Sequence, residues 1–560
     1  MRRNLSELSG KEYDLVIVGA GIFGVCAAWD ATLRGLSVAL VEQGDFCQAT
    51  SANHLKVVHG GIRYLQHLDI YRILESNRER NALLRIAPHL VQPLPVIVPT
   101  YGHGMQGKEV LFAGLMIYDL MVFNRNKELN DPDRRIPRGH IISRRECLEL
   151  FPDLERKNLT GAGVFYDGQM YNPPRLALSY LRSAMESGAQ AANYLEATGF
   201  LRKADRVVGV KVRDRITSDE FEIHCKVVLN ASGPWAERLL ESKMGIQLNP
   251  QQTYSRDTCF VIPRRLTGEY ALAVQGSTSD PDAVLSTGHR HIFIVPWRDY
   301  TLIGVWHVVF KGSPDEFTVT DKELQVFLDE VNQGYPHLNL KLGDISMWNA
   351  GLVLFGDNKP GATELSYGKR SLLLDHAKEH NLQGLITLIG VRATTARGKA
   401  LKAVDLAFKK LGKNVPKSKT DVTPIYGGQI ECFEDFLSHA VERRPSTLDV
   451  DVMRPLLHNY GSKYGEVLKY IKEDHVLAET MGKSKILKAE IIHAVREEMA
   501  QKLVDIVFRR TDLGTACYPG DDAIKTCAEL MASEMGWNDD RVQREIDEVR
   551  AAFPFLSKSN

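Results

Sequence analysis

Residues 13–42 restrict this chain more than any other stretch. Tyr13-Asp14-Leu15-Val16-Ile17-Val18 is an almost unbroken apolar run, the pattern of a strand covered on both faces in a parallel sheet. Gly19-Ala20-Gly21-Ile22-Phe23-Gly24 comes next, then a helical stretch rich in small residues from Val25 to Arg34, closed by Gly35. Ser37 to Glu42 reads as a second strand that ends on a carboxylate. Gly-x-Gly-x-x-Gly is weak evidence alone. Between a buried strand and a helix, with an acidic residue closing the next strand, it is the fingerprint of a dinucleotide-binding turn. Gly19 permits the tight turn, Gly21 lets a pyrophosphate approach the backbone, and Gly24 lets helix and strand pack closely. The helix N-terminus presents N–H groups and the positive end of its dipole, and Glu42 is placed to accept ribose hydroxyls. A Gly-rich turn with no ligand does not account for all four features. The motif alone does not separate NAD from FAD.

The rest of the chain sets the frame. Its 560 residues leave room for three or four domains at about 150 residues each. Asp205–Val212, Glu220–Leu229, His291–Pro296 and Tyr300–Phe310 read as strands of a mixed sheet. Leu411–Pro424 turns to Lys, Pro, Ser, Thr and Asp and reads as a linker. Beyond it the periodicity is helical, with Ile486–Phe508 carrying apolar residues at helical spacing. Lys plus Arg and Asp plus Glu both total 70, so the basic excess of a nucleic-acid binder is missing. The 8 cysteines contain no Cys-x-x-Cys pair, so neither a zinc ribbon nor a dithiol motif is expected, and no metal site. Met1–Lys11 is polar, without the apolar stretch of a secretory signal, and a cytoplasmic location is expected. The apolar run Val110–Phe123 contains Asp119 and falls short of the roughly 20 residues of a membrane span.

Segments beyond the first turn separate the cofactors. Thr50-Ser51, then Lys56-x-x-His59-Gly60-Gly61-x-Arg63-Tyr64-Leu65, resembles the flavin-contacting segment of FAD-dependent glycerol-3-phosphate dehydrogenases. Asn230-Ala231-Ser232-Gly233-Pro234-Trp235 resembles a second flavin motif of that family, and Gly390 through Thr394-Thr395-x-Arg397 the stretch beside its isoalloxazine. Ile294-Val295-Pro296-Trp297, Asn459-Tyr460-Gly461-Ser462, Ala494-Val495-Arg496-Glu497-Glu498 and Arg509-Arg510-Thr511 continue the match in family order. The resemblance implies an α/β fold in which a Rossmann-like FAD domain is interleaved with a mixed-sheet substrate domain, followed by an all-α C-terminal domain. The FAD domain is expected over 1–100, about 160–240 and 370–412. The substrate domain takes 101–160 and 241–369, the linker 413–424 and the helical domain 425–560. Gly19, Gly21, Gly24, Glu42, Thr50, Ser51, His54, Lys56, His59, Gly60, Gly61, Ser232, Gly233, Trp235, Gly390, Arg392, Thr394 and Thr395 are the cofactor candidates.

Oxidation of an alcohol needs a hydride acceptor, a base for the hydroxyl proton and fixed charges that hold the substrate. Arg63, His59, His307, Arg392 and Tyr64 are the catalytic candidates. The resemblance implies glycerol 3-phosphate or a related polyol phosphate as the hydroxyl substrate, with quinone or O2 as electron acceptor, and a homo-oligomer is expected. Val110–Phe123 sits where family members meet the membrane, which implies peripheral contact on the cytoplasmic face; a buried core helix fits the same pattern.

Departures from the family concentrate at the substrate. Its Lys-Gly-Ser-His is here Arg256-Asp257-Thr258-Cys259, and its Gly-Thr-Thr-Asp is Gly304-Val305-Trp306-His307. Its Ser-Gly-x-Arg-Pro is Ala350-Gly351-Leu352-Val353-Leu354, and its Thr-Arg-Asp falls near Ser366-Tyr367-Gly368-Lys369. Its Gly-Gly-Lys-x-Thr-Thr becomes Gly390-Val391-Arg392-Ala393-Thr394-Thr395. Arg63, Arg256 and Arg392 remain as anion ligands in another arrangement. A flavin-dependent dehydrogenase or oxidase of another alcohol, sugar or amine is therefore a second expectation, and a silent flavin-binding protein a third. Ser51-Ala52-Asn53-His54 also matches the Ser-x-x-His spacing at which related amine dehydrogenases carry covalent FAD, which marks His54 as an attachment candidate.

Overall fold

A computed structural model describes residues 1–104, 107–248, 252–279, 289–356, 358–359, 365–366 and 370–556. Of the positions that depart from the family pattern, Tyr367, Gly368 and Lys369 lie outside the described residues. The chain divides into two compact units, Met1–Asn53 with Asn172–Gln252 and Arg370–Asn560, and His54–Tyr171 with Thr253–Lys369.

The first unit is built on a sheet in the order Leu372–Asp375, Leu385–Ile389, Glu220–Asn230, Tyr13–Val18, Val38–Val41, Gln190–Ala192. All neighbours are parallel except the antiparallel edge strand Leu372–Asp375. Tyr13–Val18 is buried along its whole length, as its unbroken apolar run requires. One face carries the helices Ile22–Leu33, Pro173–Glu186 and Ala396–Lys410. The other carries the antiparallel strands Leu195–Lys203 and Arg206–Asp214, which pair onto Glu220–Asn230. Val16, Val18, Val41, Val210 and Ile223 close that layer.

The helical C-terminal part packs into this unit. Phe433–Glu442, Val450–Tyr460, Gly465–Glu473 and Lys488–Glu497 surround a core of Phe433, Met453, Leu457, Tyr460, Val467 and Ile492. Ile486–Phe508 is not one helix. Lys488–Glu497 ends there, Met499 takes a left-handed φ of 55°, and Leu503–Asp505 begins a new helical segment. Apolar periodicity continues across that turn because its residues are buried on both sides. The expected linker has no regular structure yet is anchored: Ser418 donates to Asp30, and the Arg397 guanidinium donates to Thr420 at 3.0 Å.

The second unit holds a sheet in the order Met347–Leu354, Tyr254–Ile262, Tyr300–Phe310, His289–Trp297, Ala271–Ser279, Val91–Tyr101, Leu159–Met170, Val57–Val58. Among the described strands of this sheet, only Ala271–Ser279 beside Val91–Tyr101 pairs in parallel. Residues 54–100, expected in the FAD domain, belong to this unit because Val57–Val58 and Val91–Tyr101 both pair with Leu159–Met170. Val110–Phe123 is not a core helix. Lys108–Met121 buries only Leu115 and Tyr118, and leaves Met116 58%, Leu120 76% and Phe123 80% exposed.

Candidate functional site

In the first unit the chemistry gathers at the carboxyl ends of the parallel strands, where open α/β sheets bind ligands. Tyr13–Val18, Glu220–Asn230 and Leu385–Ile389 all run out there, into Gly19, Ala231–Trp235 and Gly390–Thr395. Gly19 has φ 103°, and a Cβ on it would lie 2.7 Å from the Ala231 carbonyl oxygen. A Cβ on Gly24 would lie 1.9 Å from the Gly19 carbonyl oxygen. Both glycines are therefore imposed by close backbone packing. Gly21 differs: a Cβ there would meet only Ser51 Oγ, at 3.2 Å. That leaves a cradle beside the N-terminus of Ile22–Leu33 which a side chain would fill and a pyrophosphate fits.

Neighbouring groups shape this cradle. Ser51 Oγ accepts from the Ile22 amide at 2.9 Å, and Thr50 is half-buried beside it in sequence. Glu42 directly follows the second strand, which ends at Val41, and stays partly open to solvent. Its carboxylate accepts the Ala20 amide at 2.8 Å and the Gly44 amide at 2.9 Å, which binds the two loops to each other. Ser232 donates to Asn230 at 2.5 Å, and Gly233 takes φ 58° ahead of Trp235. Gly390 is glycine because a Cβ would lie 1.9 Å from the Phe23 ring. Arg392 precedes the buried Thr394 and Thr395 at the start of the Ala396–Lys410 helix. This donor set fits a dinucleotide.

In the second unit the Gly60-Gly61 turn is locked by polar groups that sequence reasoning missed. A Cβ on Gly60 would strike the Arg80 guanidinium at 2.1 Å, and Gly61 takes φ 89°. The Gly60 carbonyl accepts from Asn77 at 2.5 Å and from the Tyr118 hydroxyl at 3.0 Å. Its amide donates to Asp167 at 2.6 Å. The other Asp167 oxygen lies 3.1 Å from His59 Nδ1, and Arg80 stands 3.7 Å from the same carboxylate. Arg63 comes next on a 3₁₀ turn and is exposed, and Tyr64 packs its ring against the Arg72 guanidinium.

His54 Nδ1 accepts the Lys56 amide at 2.9 Å. Lys56 itself is buried, with Nζ 4.6 Å from the Trp297 ring centre, and burial pushes its ammonium down to about 8. Cys259, where the resemblance led to a histidine being expected, is buried; burial pushes its thiol up to about 11, and the nearby Lys56 charge opposes that only in part.

Arg63 lines a shallow, open recess together with Arg290, His291, Trp306, His307 and Glu330. Two of these charges are engaged: Arg290 donates to the Leu365 carbonyl, and Glu330 accepts the Ser277 amide at 2.6 Å. Trp306 stacks on Phe327 at 5.8 Å. His307 Nδ1 is 2.7 Å from Asp257, which also accepts from Ser255 at 2.6 Å. Arg256 points elsewhere: its guanidinium pairs with Glu323 and donates to the Thr318 carbonyl, so it is not an anion ligand of this recess. Val353, where an arginine was expected, stands opposite Ser255 in the ladder.

Arg63 and His307 thus share one recess, and His59 and His307 are each held by a carboxylate. Asp257, Asp167, Asn77, Arg80 and Tyr118 were not legible as site residues. Only the sheet register and the return of two helices onto the Gly-Gly turn bring them in.

Comparison with known proteins agrees with this geometry. The family model described as FAD dependent oxidoreductase matches residues 14–390. The model for the C-terminal domain of alpha-glycerophosphate oxidase matches residues 418–542. A glycerol-3-phosphate dehydrogenase of Synechocystis is 29% identical over 559 residues, covering 97% of each chain. The mitochondrial glycerol-3-phosphate dehydrogenase of mouse is 30% identical over 570 residues, covering 96% of this chain and 72% of its own length. The X-ray structure of glycerol-3-phosphate dehydrogenase from Bacillus halodurans complexed with FAD superimposes with a TM-score of 0.76 at 25% identity, over 98% of this chain and 95% of that one.

Proposed function

The chain belongs to the FAD dependent oxidoreductase family, and from that premise we propose that it is a dehydrogenase of glycerol 3-phosphate or a related polyol phosphate that passes electrons to quinone. Two observations, each made within its own unit, carry this reading: the first unit holds a dinucleotide cradle, and the second holds a recess that joins Arg63 to carboxylate-held imidazole. Gly19, Gly21, Gly24, Glu42, Ser51, Ser232, Gly390 and Thr394 would hold the FAD, which when bound accepts a hydride from the carbinol carbon. Arg63 offers a planar fork to the phosphate. His59 and His307 are the two imidazoles able to take the hydroxyl proton, and Trp306 lines the recess beside His307.

The apolar face of Lys108–Met121 supports delivery to a lipid-dissolved quinone. Leu120 and Phe123 stand in solvent beside Met116 and Ile117, a face suited to lying in one leaflet. Among the described residues no helix is long and apolar enough to cross a membrane. Leu120→Ser with Phe123→Ser is expected to abolish co-flotation with phospholipid vesicles, while leaving flavin reduction by substrate intact.

Arg63→Gln tests the substrate assignment. One charged hydrogen bond to phosphate contributes about 1.5–3 kcal/mol, so kcat/KM for glycerol 3-phosphate should fall by roughly ten- to a hundredfold. Glycerol, which has no phosphate, should show no such loss. Equal effects on both would favour the second reading, an enzyme of another alcohol, sugar or amine, which Val353 and the engagement of Arg256 by Glu323 also favour.

A further inference from the structure

We propose that His307 takes the hydroxyl proton of the substrate and that Asp257 positions it to do so. This rests on the reading that the chain oxidises an alcohol with FAD.

Asp257 and His307 are direct partners across the antiparallel pair Tyr254–Ile262 and Tyr300–Phe310. The Nδ1–Oδ1 separation is 2.7 Å, and Ser255 Oγ donates to the same oxygen at 2.6 Å. A carboxylate only accepts, so in the neutral ring the hydrogen sits on Nδ1 and the lone pair on Nε2. The ring plane is set by Phe355, whose ring lies 6.2 Å away and within 15° of parallel. The His307 side chain is 16% exposed and lines the recess with Arg63.

His59 is the rival acceptor and is less suited. Its side chain is 42% exposed, and its contact with Asp167 is longer, at 3.1 Å. Asp167 also accepts the Gly60 amide and faces Arg80, so its charge is divided among three donors. Asp257 serves an imidazole and a hydroxyl, so more of its field falls on the imidazolium that forms in the transition state. Cys259 is no substitute, since its thiol is buried and pushed up to about 11.

In the step itself the O–H bond breaks and its proton goes to His307 Nε2. With FAD bound, the flavin would accept the hydrogen of the carbinol C–H bond together with its electron pair, which would leave a ketone. The imidazolium then returns its proton to water. The other titratable groups lining the recess are Arg63 on the turn, Arg290 and His291 on the neighbouring strand and Glu330 on the Asp321–Gly334 helix, and desolvation pushes His291 down to about 4 so that its ring is neutral. Arg290 and Glu330 are held by backbone groups.

The test mixes holoenzyme with glycerol 3-phosphate without oxygen and monitors flavin reduction. His307→Gln should slow reduction about a hundredfold or more, the usual contribution of a general base, with half-saturation moved by less than about threefold. Asp257→Asn should slow it comparably, because an amide there turns the ring. Added imidazole should recover part of the rate in His307→Ala, which a purely structural role would not allow. Nitrogen-15 shifts of the resting holoenzyme supply a readout independent of turnover: Nδ1–H for wild-type His307 and Nε2–H in Asp257→Asn. Reduction of His307→Gln within about fivefold of wild type, or an Nε2–H tautomer in wild type, overturns the proposal alone. A wild-type flavin that no alcohol reduces overturns the underlying reading as well.

Discussion

Asp45→Asn should be among the most damaging single substitutions in the first unit. Asp45 sits in the loop just after Glu42, and it accepts from Arg509 at 2.6 Å and from both terminal nitrogens of Arg510 at 2.7 Å. Its side chain is fully buried, Arg510 is 1% and Arg509 10% exposed. The arginines hold its carboxyl well below the usual range, against the effect of burial. Asp505 shares Arg509 at 2.7 Å, so Asp45, Asp505, Arg509 and Arg510 form a four-membered charge cluster. The asparagine keeps the shape but removes one negative charge, leaving a guanidinium buried without compensation. Removing one partner of a buried pair costs about 3–5 kcal/mol. Because the depressed carboxyl contributes its stability only while ionised, the wild type should keep this advantage at neutral pH and lose it only as pH falls through and below the ordinary carboxylate range. Chemical unfolding of wild type and variant at pH 7, with FAD saturating, measures the difference. A loss below about 1 kcal/mol at unchanged m-value would refute the charge argument.

Other outcomes depend on single contacts. Gly24→Ala places a methyl 1.9 Å from the Gly19 carbonyl oxygen, and such overpacking costs about 1–3 kcal/mol; the variant should retain less FAD after desalting and unfold earlier. His376 is fully buried, between His380 and Thr387, and burial pushes its imidazole down to about 4. The unfolded ring binds a proton below about pH 6.5 and the folded ring does not, so stability should decline by about 3 kcal/mol as pH falls from 6.5 towards 4. His376→Gln should flatten that slope, and an unchanged slope would exclude His376 as its source. FAD should be released when the protein is precipitated with acid. His54 Nδ1 accepts the Lys56 amide, so the neutral ring carries its hydrogen on Nε2. A yellow precipitate would instead establish covalent attachment.

The first turn was readable because its signals lie close together in sequence. Strand, Gly19, Gly24 and Glu42 fall within thirty residues, and the clash that excludes a Cβ on Gly24 is with Gly19 itself, whereas the one that excludes a Cβ on Gly19 comes from Ala231 and Ser232 far along the chain. The unreadable parts depend on partners far along the chain. Residues 54–100 looked continuous with the first domain, but Val57–Val58 pairs with Gly168 and Gln169 and so joins the second sheet. The break after Glu497 turns on one left-handed residue, Met499, inside a run whose apolar spacing never falters. Arg256 looked like an anion ligand until the alternation of its strand placed it against Glu323 on a helix 67 residues away. His307 was visible as an oddity, but its partner was not. Register between two strands makes Asp257 that partner, and that register shifts at Thr258/Cys259.

Anaerobic addition of glycerol 3-phosphate to the FAD-loaded protein tests the central claim most directly. Loss of the oxidised-flavin absorbance in step with formation of one equivalent of the corresponding ketone is the predicted result. An absorbance that persists with glycerol 3-phosphate and other polyol phosphates, but bleaches with an unphosphorylated alcohol, sugar or amine, would contradict it.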